Sequence, residues 1–552
     1  MKKFINKLNI KMEIERNKTN LIIRILLAIV FAITIMLDSM IHFDGNIANK
    51  LSDIYVKNLE LSNIIIFFIT MVISYFVLCV IEIISDKIEK NEIEVKERKN
   101  GLKVILVTAL ILLLLWLPYI LSFFPGGVFA DTIPSISQAL GNTQLNNHNP
   151  ILHTLILKVF FDIARVFSGN VIPLGISLYT IAQVVAMLGI ATYFVYWLYK
   201  KNVSLKYVIF SVLFFGLFHL IPLYAISLWK DTVFCMAMFL YILFLADIIY
   251  YNGKNLETIR GIIKGVILAL LVMFLRNNGI YIVTLTTFIL LVIYRKRVFN
   301  VMRPFVISII ATIVITYIIQ GPIYNKFNMN TEFVESAGIL VQQICYIVSE
   351  DGNINEEQME FINEMCPIDT IKQEYRPCLV DFIKWNGEFN NDFITENKGK
   401  FLKIWFQLCV QNPGKSVKAY ILNTMGFWDV NKSSTGGYIN PRMWPTIEED
   451  NNYKQNDYIE MITGRSIKNV LDSQPTISSA IFFFIILICA QLTIYKKRYK
   501  NLLILVPFLA TWITIMIAAP IAFTLRYVYI LVLGLPIAII APFIKQKDDN
   551  EI

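Results

Sequence analysis

The stretch KVILVTALILLLLWLPYILSF, residues 103–123, has one charged side chain, at its first position, and is otherwise dominated by leucine and isoleucine. A helix needs about 20 apolar residues to cross the roughly 30 Å hydrocarbon core of a bilayer. Lipid offers no water to the backbone, so such a run satisfies its polar groups by folding as a helix. The stretch decides the fold class, because runs of this kind recur along the chain.

The composition agrees with repeated membrane crossing. Of 552 residues, 56% are hydrophobic and 16% are charged, and the mean hydropathy is +0.58. Soluble domains carry about one quarter charged residues. We therefore predict an all-α polytopic membrane protein with about twelve transmembrane helices, at residues 21–41, 62–82, 103–123, 172–198, 204–226, 231–251, 260–276, 279–295, 303–320, 476–495, 500–519 and 524–544.

Lysine and arginine indicate the orientation of these spans, because basic segments beside spans are retained in the cytoplasm. The richest ones are MKKFINKLNIKMEIERNK, DKIEKNEIEVKERKNGLK, YKKN, YRKR, YKKRYK and KQK. They predict a multi-pass cell-membrane protein with both termini in the cytoplasm and a first span that is retained, not cleaved as a signal peptide. This inner bias explains the net charge of +9, so no nucleic-acid partner is predicted.

Four regions follow from this topology. Residues 1–100 hold a cytoplasmic tail and two spans; residues 101–320 form a transmembrane core with an outer loop at 124–171. Residues 321–475 contain helix-like runs separated by Gly, Pro and Asn, and are long enough for a small, mostly helical extracytoplasmic domain. Residues 476–552 hold three further spans and a cytoplasmic tail.

Four of the seven cysteines fall in the predicted extracytoplasmic domain: Cys345, Cys366, Cys378 and Cys409. Four cysteines allow three pairings, and the sequence does not choose among them. We expect Cys366 and Cys378 to form a disulfide. No CxxC pair and no Cys/His spacing typical of a metal site occurs in the chain.

The outer loop contains ADTIPSISQALGNTQLNNHNPILHT, residues 130–154, which is unusually polar for this chain. DTIPSISQAL is typical of a short helix, with Asp131, Ser135 and Gln138 on one face. ILHTLILKVFFDIARVF, residues 151–167, has one apolar face and carries paired charges, which favours a helix lying in the membrane interface. Two interfacial helices joined by an Asn-rich bend are therefore expected.

The topology brings further polar residues to the same outer surface. Together they form the set of candidate site residues: Asp131, Gln138, His148, His153, Trp229, Lys230, Asp231, Arg276, Asn277, Asn278 and Arg526. One carboxylate facing several cations suits an enzyme that acts on an anionic lipid. We predict Asp131 as a general base, Lys230, Arg276 and Arg526 as phosphate-binding cations, and the others as substrate-binding residues.

Each of these residues also has a structural interpretation. Asp131 suits the N-cap of the helix it opens, basic residues at span ends act as interface anchors, and Lys230 and Asp231 can neutralise each other. The spacing of His148 and His153 fits no familiar metal motif, so no metal ion or other cofactor is predicted, and a divalent metal is the disfavoured alternative. Tryptophans of the outer domain are expected to pack in its core, with stacking on sugars as the alternative.

An outer loop with an early aspartate and two interfacial helices is followed by many further spans and a late soluble segment. This order of features resembles the GT-C superfamily of integral membrane glycosyltransferases. FPGGVFADTIPSISQALG, NNHNPILHT, SLWKDTVF, LRNNGIY, VQQICYIVSEDG, YRPCLVDFIKW and NTMGFWDV are similar to an uncharacterised family of multipass proteins from Gram-positive bacteria with a GT-C-like architecture. The resemblance implies that Asp131 is the acidic residue of the first large outer loop, which serves as the base. One departure is that two spans precede the loop-bearing core.

The resemblance implies a function as well. An enzyme of this kind moves a sugar from a polyprenyl-phosphate donor to a glycan, lipid or protein acceptor on the outer face, with inversion. Two other classes stay as alternatives: a transporter or flippase of lipid-linked saccharides, which needs ionisable residues at mid-membrane depth, and a non-catalytic envelope protein. Whether Asp131 faces a cavity or caps a helix separates the enzyme from the third class.

Overall fold

Helices make up nearly the whole protein. The computed structural model describes residues 2–90, 98, 100–129, 131–298, 300–329, 332–432, 455–472, 477–518 and 521–546. The predicted end of the C-terminal tail, most of the charged segment 91–99 and the stretch 433–454 of the predicted outer domain lie outside these residues. A two-residue antiparallel pair, β1 (Ile41–His42) with β2 (Tyr55–Val56), joins the ends of the loop after the first helix.

The helices of the first half begin and end as follows: α1 Lys2–Met40, α2 Leu61–Lys90, α3 Gly101–Ser122, α4 Thr132–Leu140, α5 Ile151–Phe167, α6 Val171–Lys200, α7 Leu205–Leu217, α8 Leu220–Ala225, α9 Lys230–Tyr250, α10 Ile259–Leu275, α11 Gly279–Ile293, α12 Arg295–Val298, α13 Arg303–Ile318 and α14 Tyr324–Lys326. A π-helical turn, Ile319–Ile323, joins α13 to α14.

The second half contains α15 Val334–Ser349, α16 Glu356–Met365, α17 Ile368–Glu374, α18 Asp381–Lys384, α19 Asn391–Glu396, α20 Lys398–Gln411, α21 Pro413–Thr424, α22 Tyr458–Thr463, α23 Ile467–Asp472, α24 Ser479–Tyr495, α25 Leu502–Ala518, α26 Tyr529–Leu533 and α27 Leu535–Ile540. Short 3-10 turns occur at Lys254–Glu257, Met425–Phe427, Tyr499–Asn501, Leu525–Val528 and Ala541–Phe543.

Within the described residues, seven helices are long and apolar enough to cross a membrane. They are Lys18–Met40, Leu61–Glu89, Gly101–Ser122, Val171–Lys200, Lys230–Tyr250, Arg303–Lys326 and Tyr499–Ala518. The pair Leu525–Leu533 and Leu535–Phe543 is bent by 48° and gives an eighth if it crosses as one span. The other predicted spans fold as shorter helices, so the protein is polytopic, while the count of twelve stays a prediction.

Helix α9 lies at the centre of the bundle and α2 lies at its edge. The apolar window of α9 is 83% buried, and its flanks pack on α6, α10, α25 and α26. The corresponding window of α2 is 6% buried, and its main partner is α1. A helix that is apolar all round and exposed in the protein alone is expected to face lipid. The first two helices therefore flank the core.

Residues 334–427, from α15 to the turn after α21, form a helical unit that we call the cap domain. It is joined to the last part of the chain by backbone bonds: Leu379 pairs with Ile521, and the Ala522 amide donates to the Cys378 carbonyl at 2.9 Å. Gly426 packs so closely here that a Cβ atom would lie 2.2 Å from the Phe523 nitrogen. The cap domain thus positions the segment that leads to residue 526.

The expected disulfide between Cys366 and Cys378 is wrong. All seven cysteines of the chain are free thiols in the structure. Both partners are buried in the cap domain, and the Cys378 thiol donates instead to the Leu422 carbonyl, with a sulfur–oxygen distance of 3.6 Å. Packing in the apolar core, rather than a covalent bond, therefore accounts for the burial of these two side chains.

Candidate functional site

The loop between α3 and α4 brings the first acidic residue of the outer loop to the start of α9. The Gly127 amide donates to the Ile226 carbonyl, and the Leu228 amide donates to the Gly127 carbonyl, both at 2.9 Å. At Gly126, φ is +146° and a Cβ atom would lie 2.2 Å from Thr180 Oγ1, so only glycine fits. Thr132 Oγ1 adds a bond to the Leu228 carbonyl at 2.9 Å.

The two predicted loop helices are confirmed as α4 and α5. Asp131 stands at the N-cap of α4, but its side chain makes no capping hydrogen bond with the helix backbone. Its Oδ2 atom instead lies 2.5 Å from Arg526 Nη1. The carboxylate therefore belongs to an ion pair across the bundle, and the simple capping role does not describe it.

In the Asp131–Arg526 pair, the carboxylate is accessible to solvent and the guanidinium is buried. The Asp131 side chain is 35% exposed, whereas that of Arg526 is 4% exposed. Burial alone raises the pKa of Asp131, but the charges of Arg526 and Lys230 outweigh it and hold that pKa well below its usual range. Asp131 is thus an ionised, solvent-accessible carboxylate at neutral pH.

A second ion pair lies beside the first and has the opposite exposure. Arg276 Nη1 is 2.8 Å from Asp231 Oδ1; the Asp231 side chain is 0% exposed and that of Arg276 is 14% exposed. Tyr527 lies against both guanidiniums, with its ring centroid 5.0 Å from Arg276 Cζ and 5.1 Å from Arg526 Cζ. The resemblance places the turn that contains Arg526 and Tyr527 at the cavity, but Tyr527 is not among the candidate site residues predicted from the sequence.

Lys230 opens α9 and ties the Asn-rich bend to this cluster. Its ammonium donates to the His148 carbonyl at 3.1 Å and to Asn149 Oδ1 at 2.9 Å. It also interacts electrostatically with both aspartates and both arginines. Burial and the charge of Lys230 lower the pKa of His148, which favours a neutral imidazole at pH 7.

Aromatic rings form the floor of the cluster. Trp229 is 2% exposed and stacks on Phe129 with ring centroids 4.0 Å apart. Arg526 Cζ lies 5.8 Å from the Trp229 ring. A guanidinium between aromatic faces keeps its charge while its plane stays fixed. The floor therefore orients Arg526 toward Asp131.

Four other predicted site residues make hydrogen bonds within the protein. Gln138 donates to Asn146, and Asn277 exchanges hydrogen bonds with Asn147; Asn278 donates to Thr514. His153 is 1% exposed and shares a hydrogen bond of 3.0 Å with the Tyr179 hydroxyl. Burial, with a smaller contribution from Lys230, lowers the pKa of His153 to about 3. Ion pairs, hydrogen bonds and ring contacts therefore join Asp131, His148, Trp229, Lys230, Asp231, Arg276 and Arg526 in one cluster, while the substrate-binding role of the other four stays a prediction.

The chain that forms this charged cluster can be compared with known protein families. A model described as a family of unknown function (DUF6020) matches residues 139–551. The chain belongs to DUF6020. The match begins after Asp131 and includes Lys230, Arg276 and Arg526. No curated protein and no solved structure matches this DUF6020 member.

The cap domain of this DUF6020 chain adds charged residues that sequence reasoning missed. Lys384 Nζ lies 3.0 Å from Glu335 Oε1 and 3.1 Å from Asp381 Oδ1, and Glu335 Oε1 lies 3.8 Å from His148 Nδ1. Burial raises the pKa of Asp381, while Lys384 acts against it. Asp381 and Lys384 lie in the motif YRPCLVDFIKW, which carries part of the family resemblance. The sequence predicts no chemical role for either residue.

The cluster has no arrangement that resembles a metal centre. Across the described parts of the chain, no group of three or more His, Cys, Asp or Glu side chains is placed to hold an ion. Function without a cofactor stays a prediction. What the cluster supplies is the accessible carboxylate of Asp131 together with the cations Lys230, Arg276 and Arg526.

An apolar cavity of about 440 Å³ lies between α5, α10 and α14. Its walls include Ile151, Leu155, Leu271, Phe274 and Tyr324. Residue 151 is the first of α5, directly after the bend that holds Lys230. The charged cluster and the cavity together offer an amphiphilic ligand a place for a polar head and for part of an apolar chain.

Proposed function

We propose that the protein transfers a sugar from a polyprenyl-phosphate donor to a cell-envelope acceptor on the outer face of the membrane. The observation that carries the proposal is the ion pair between the accessible carboxylate of Asp131 and the buried guanidinium of Arg526. An acid that merely capped α4 would accept hydrogen bonds from the helix amides through its side chain, and the Asp131 carboxylate accepts none there.

The reaction assigns a role to each charge. Asp131 takes the proton from an acceptor hydroxyl as its oxygen attacks the anomeric carbon from the face opposite the phosphate. The bond from that carbon to the phosphate oxygen breaks, and the lipid phosphate leaves with the electron pair. Arg526, Arg276 and Lys230 stabilise the charge that develops on this phosphate. The configuration of the sugar is inverted.

A phosphate in the site also changes the state of the base. In the unliganded protein, Arg526 holds the pKa of Asp131 low, which makes its carboxylate a weak base. An anionic donor competes for Arg526 and adds a negative charge beside Asp131, so the pKa of Asp131 rises when the donor binds. The base is therefore strengthened only once a phosphate is in place.

The apolar cavity supports a lipid-linked donor rather than a water-soluble one. It adjoins the bend that binds Lys230 and is lined mainly by aliphatic side chains of α5 and α10. Burial of apolar area favours binding by about 25 cal/mol per Å². A nucleotide sugar has no apolar chain that would use this surface.

The test compares cells that lack the gene with cells that carry the wild-type gene, Asp131→Asn or Asp162→Asn. Loss of a general base lowers a transfer rate by about 10²–10⁴-fold. We expect the wild-type gene and Asp162→Asn to restore a missing envelope glycan, read by mass spectrometry, and Asp131→Asn at equal expression to leave it missing. Restoration by Asp131→Asn contradicts the proposal.

A further inference from the structure

Trp385, which directly follows α18, is exposed to an unusual degree. Its side chain is 57% exposed. Two other tryptophans of the outer region are held inside: Trp428 is 7% exposed, and Trp405 donates from Nε1 to Gln343 Oε1 at 2.8 Å. A large indole that is neither packed nor hydrogen-bonded in the core is more typical of a binding surface than of a fold determinant.

The exposed indole stands at the edge of the charged cluster. Its ring centroid lies 6.0 Å from that of His148, in an edge-to-face arrangement. The His148 carbonyl in turn accepts the hydrogen bond from Lys230. A single residue, His148, therefore separates the indole from Lys230, which is one of the cations that we propose to bind the donor phosphate.

Lys384 and the two carboxylates that it bridges form a polar rim beside the indole. Lys384 lies with its ammonium 5.0 Å from the centroid of the Trp385 ring and bridges Glu335 and Asp381. Asp381 keeps 30% of its side chain exposed and interacts electrostatically with Asp131. The rim thus continues from the exposed indole to the proposed base.

The chemistry of this surface selects one class of ligand. Carboxylate oxygens accept hydrogen bonds from hydroxyl groups, and two carboxylates that share the single charge of Lys384 leave a net negative charge, which disfavours a phosphate or another acid. An aromatic face offers apolar contact to a flat ring that carries C–H bonds on one side. A saccharide ring combines hydroxyl groups at its edge with an apolar C–H face.

We propose that Trp385, with the carboxylates of Asp381 and Glu335, forms a saccharide-binding subsite that presents an acceptor hydroxyl to Asp131. The inference rests on the proposed transfer reaction and narrows its acceptor from a glycan, lipid or protein to a sugar. The subsite lies on the cap domain, so the acceptor enters from the side of the aqueous surface, while the lipid donor enters beside α5 and α10.

Saturation-transfer NMR on the full chain tests this subsite. The protein is placed in nanodiscs free of glycosidic detergent, and the probes are the methyl glycosides of glucose, galactose, mannose and N-acetylglucosamine. We expect saturation to reach the C–H face of at least one probe, and Trp385→Ala to weaken the affinity for that probe about fivefold or more, which corresponds to about 1 kcal/mol. Phe406→Ala is the matched control, because Phe406 is an aromatic residue of the same domain that is 62% exposed.

The inference is overturned if the wild-type protein binds none of the four probes. It is also overturned if Trp385→Ala binds as well as wild type, or if Phe406→Ala loses as much affinity. Trp385→Tyr retains an aromatic face, so it is expected to recover part of the affinity, which a loss of folding would not allow.

The same variants separate this inference from the proposed function. Asp131→Asn is expected to keep probe binding and to lose transfer. Probe binding that depends on Trp385 without any transfer by the wild-type protein leaves the subsite standing and refutes the transferase. Transfer that is normal in Trp385→Ala, without probe binding, refutes the subsite alone.

Discussion

The two carboxylate–guanidinium pairs of the cluster are similar in type and opposite in exposure. Asp231 and Arg276 are 2.8 Å apart, with the acid at 0% exposure; Asp131 and Arg526 are 2.5 Å apart, with the acid at 35% exposure. A buried carboxylate is committed to its partner, because leaving it unpaired in a low-dielectric interior is expensive. An accessible carboxylate can exchange its partner for a substrate.

This difference assigns separate tasks to the two pairs. Asp231 fixes Arg276 beside the cluster, so that a cation stays there in the absence of substrate. Arg526, buried against Trp229 and Tyr527, keeps its position while the carboxylate opposite it is reached by water. One pair is therefore expected to contribute mainly to stability and the other mainly to chemistry.

The largest effect on stability is expected for Asp231→Asn. Removing the charge leaves Arg276 without its counter-ion in a buried site, which lowers the free energy of unfolding by about 3–5 kcal/mol. For Asp131→Asn we expect a smaller loss of about 1–2 kcal/mol, because water reaches the side chain at position 131 and the charge of Asp231 still acts on Arg526. Thermal unfolding of both proteins in the same detergent provides the measurement. Equal losses would remove the contrast between the pairs.

A smaller effect than these losses of stability is expected when the transfer rate is measured as a function of pH. Asp131 acts as a base only when it is ionised, and Arg526 and Lys230 depress its pKa in the unliganded protein. The ratio kcat/KM, which reports the free enzyme, should therefore hold steady as the pH falls from 7 to 5, whereas the acid limb of kcat should lie at higher pH because the donor raises this pKa. Arg526→Gln removes the largest of these charge effects and should move the acid limb of the pH–rate profile to higher pH. Arg165→Gln, on the exposed face of α5, serves as the control. An acid limb that does not move would show that Arg526 does not set this pKa.

The sign of the linked stability effect follows from the same shift. The pKa of Asp131 in the folded protein is lower than its value near 3.9 in an unfolded chain. The ion pair therefore contributes its full stability above the unfolded value and loses it only as the pH falls through the folded one. Between pH 5 and 8, the contribution of this pair to the Tm should therefore stay constant.

The sequence located most cations of the cluster, because Lys230, Arg276 and Arg526 each follow or begin an apolar run and such ends meet at one surface. It singled out Asp131 as the base, but it did not predict that Asp131 is exposed and Asp231 buried. Both acids precede a helix or open one, and their exposure depends on how deeply the neighbouring helices bury them. That depth is a property of packing between elements far apart in sequence.

The positions of His148 and His153 likewise depend on packing that the sequence alone does not reveal. His148 and His153 looked equivalent in the sequence, yet His148 lies at the charged cluster and His153 points into the interface with α6, where it meets Tyr179. His148 lies in the bend before α5, whereas the register of α5 turns His153 toward α6. Trp385 was harder still to place, since its partner His148 is more than two hundred residues away in the chain.

The smallest effect is expected for a third group of charges, on the exposed face of α5. Asp162 lies 3.0 Å from Lys158 and 2.9 Å from Arg165, and all three side chains are 45% exposed. Exposed ion pairs contribute about 0–1 kcal/mol, so Asp162→Asn should shift the free energy of unfolding by less than about 1 kcal/mol and leave transfer unchanged. Together with Asp231→Asn and Asp131→Asn, it completes a series in which the stability loss follows burial of the acid. A loss for Asp162→Asn as large as that for Asp231→Asn would mean that burial does not govern the strength of these pairs.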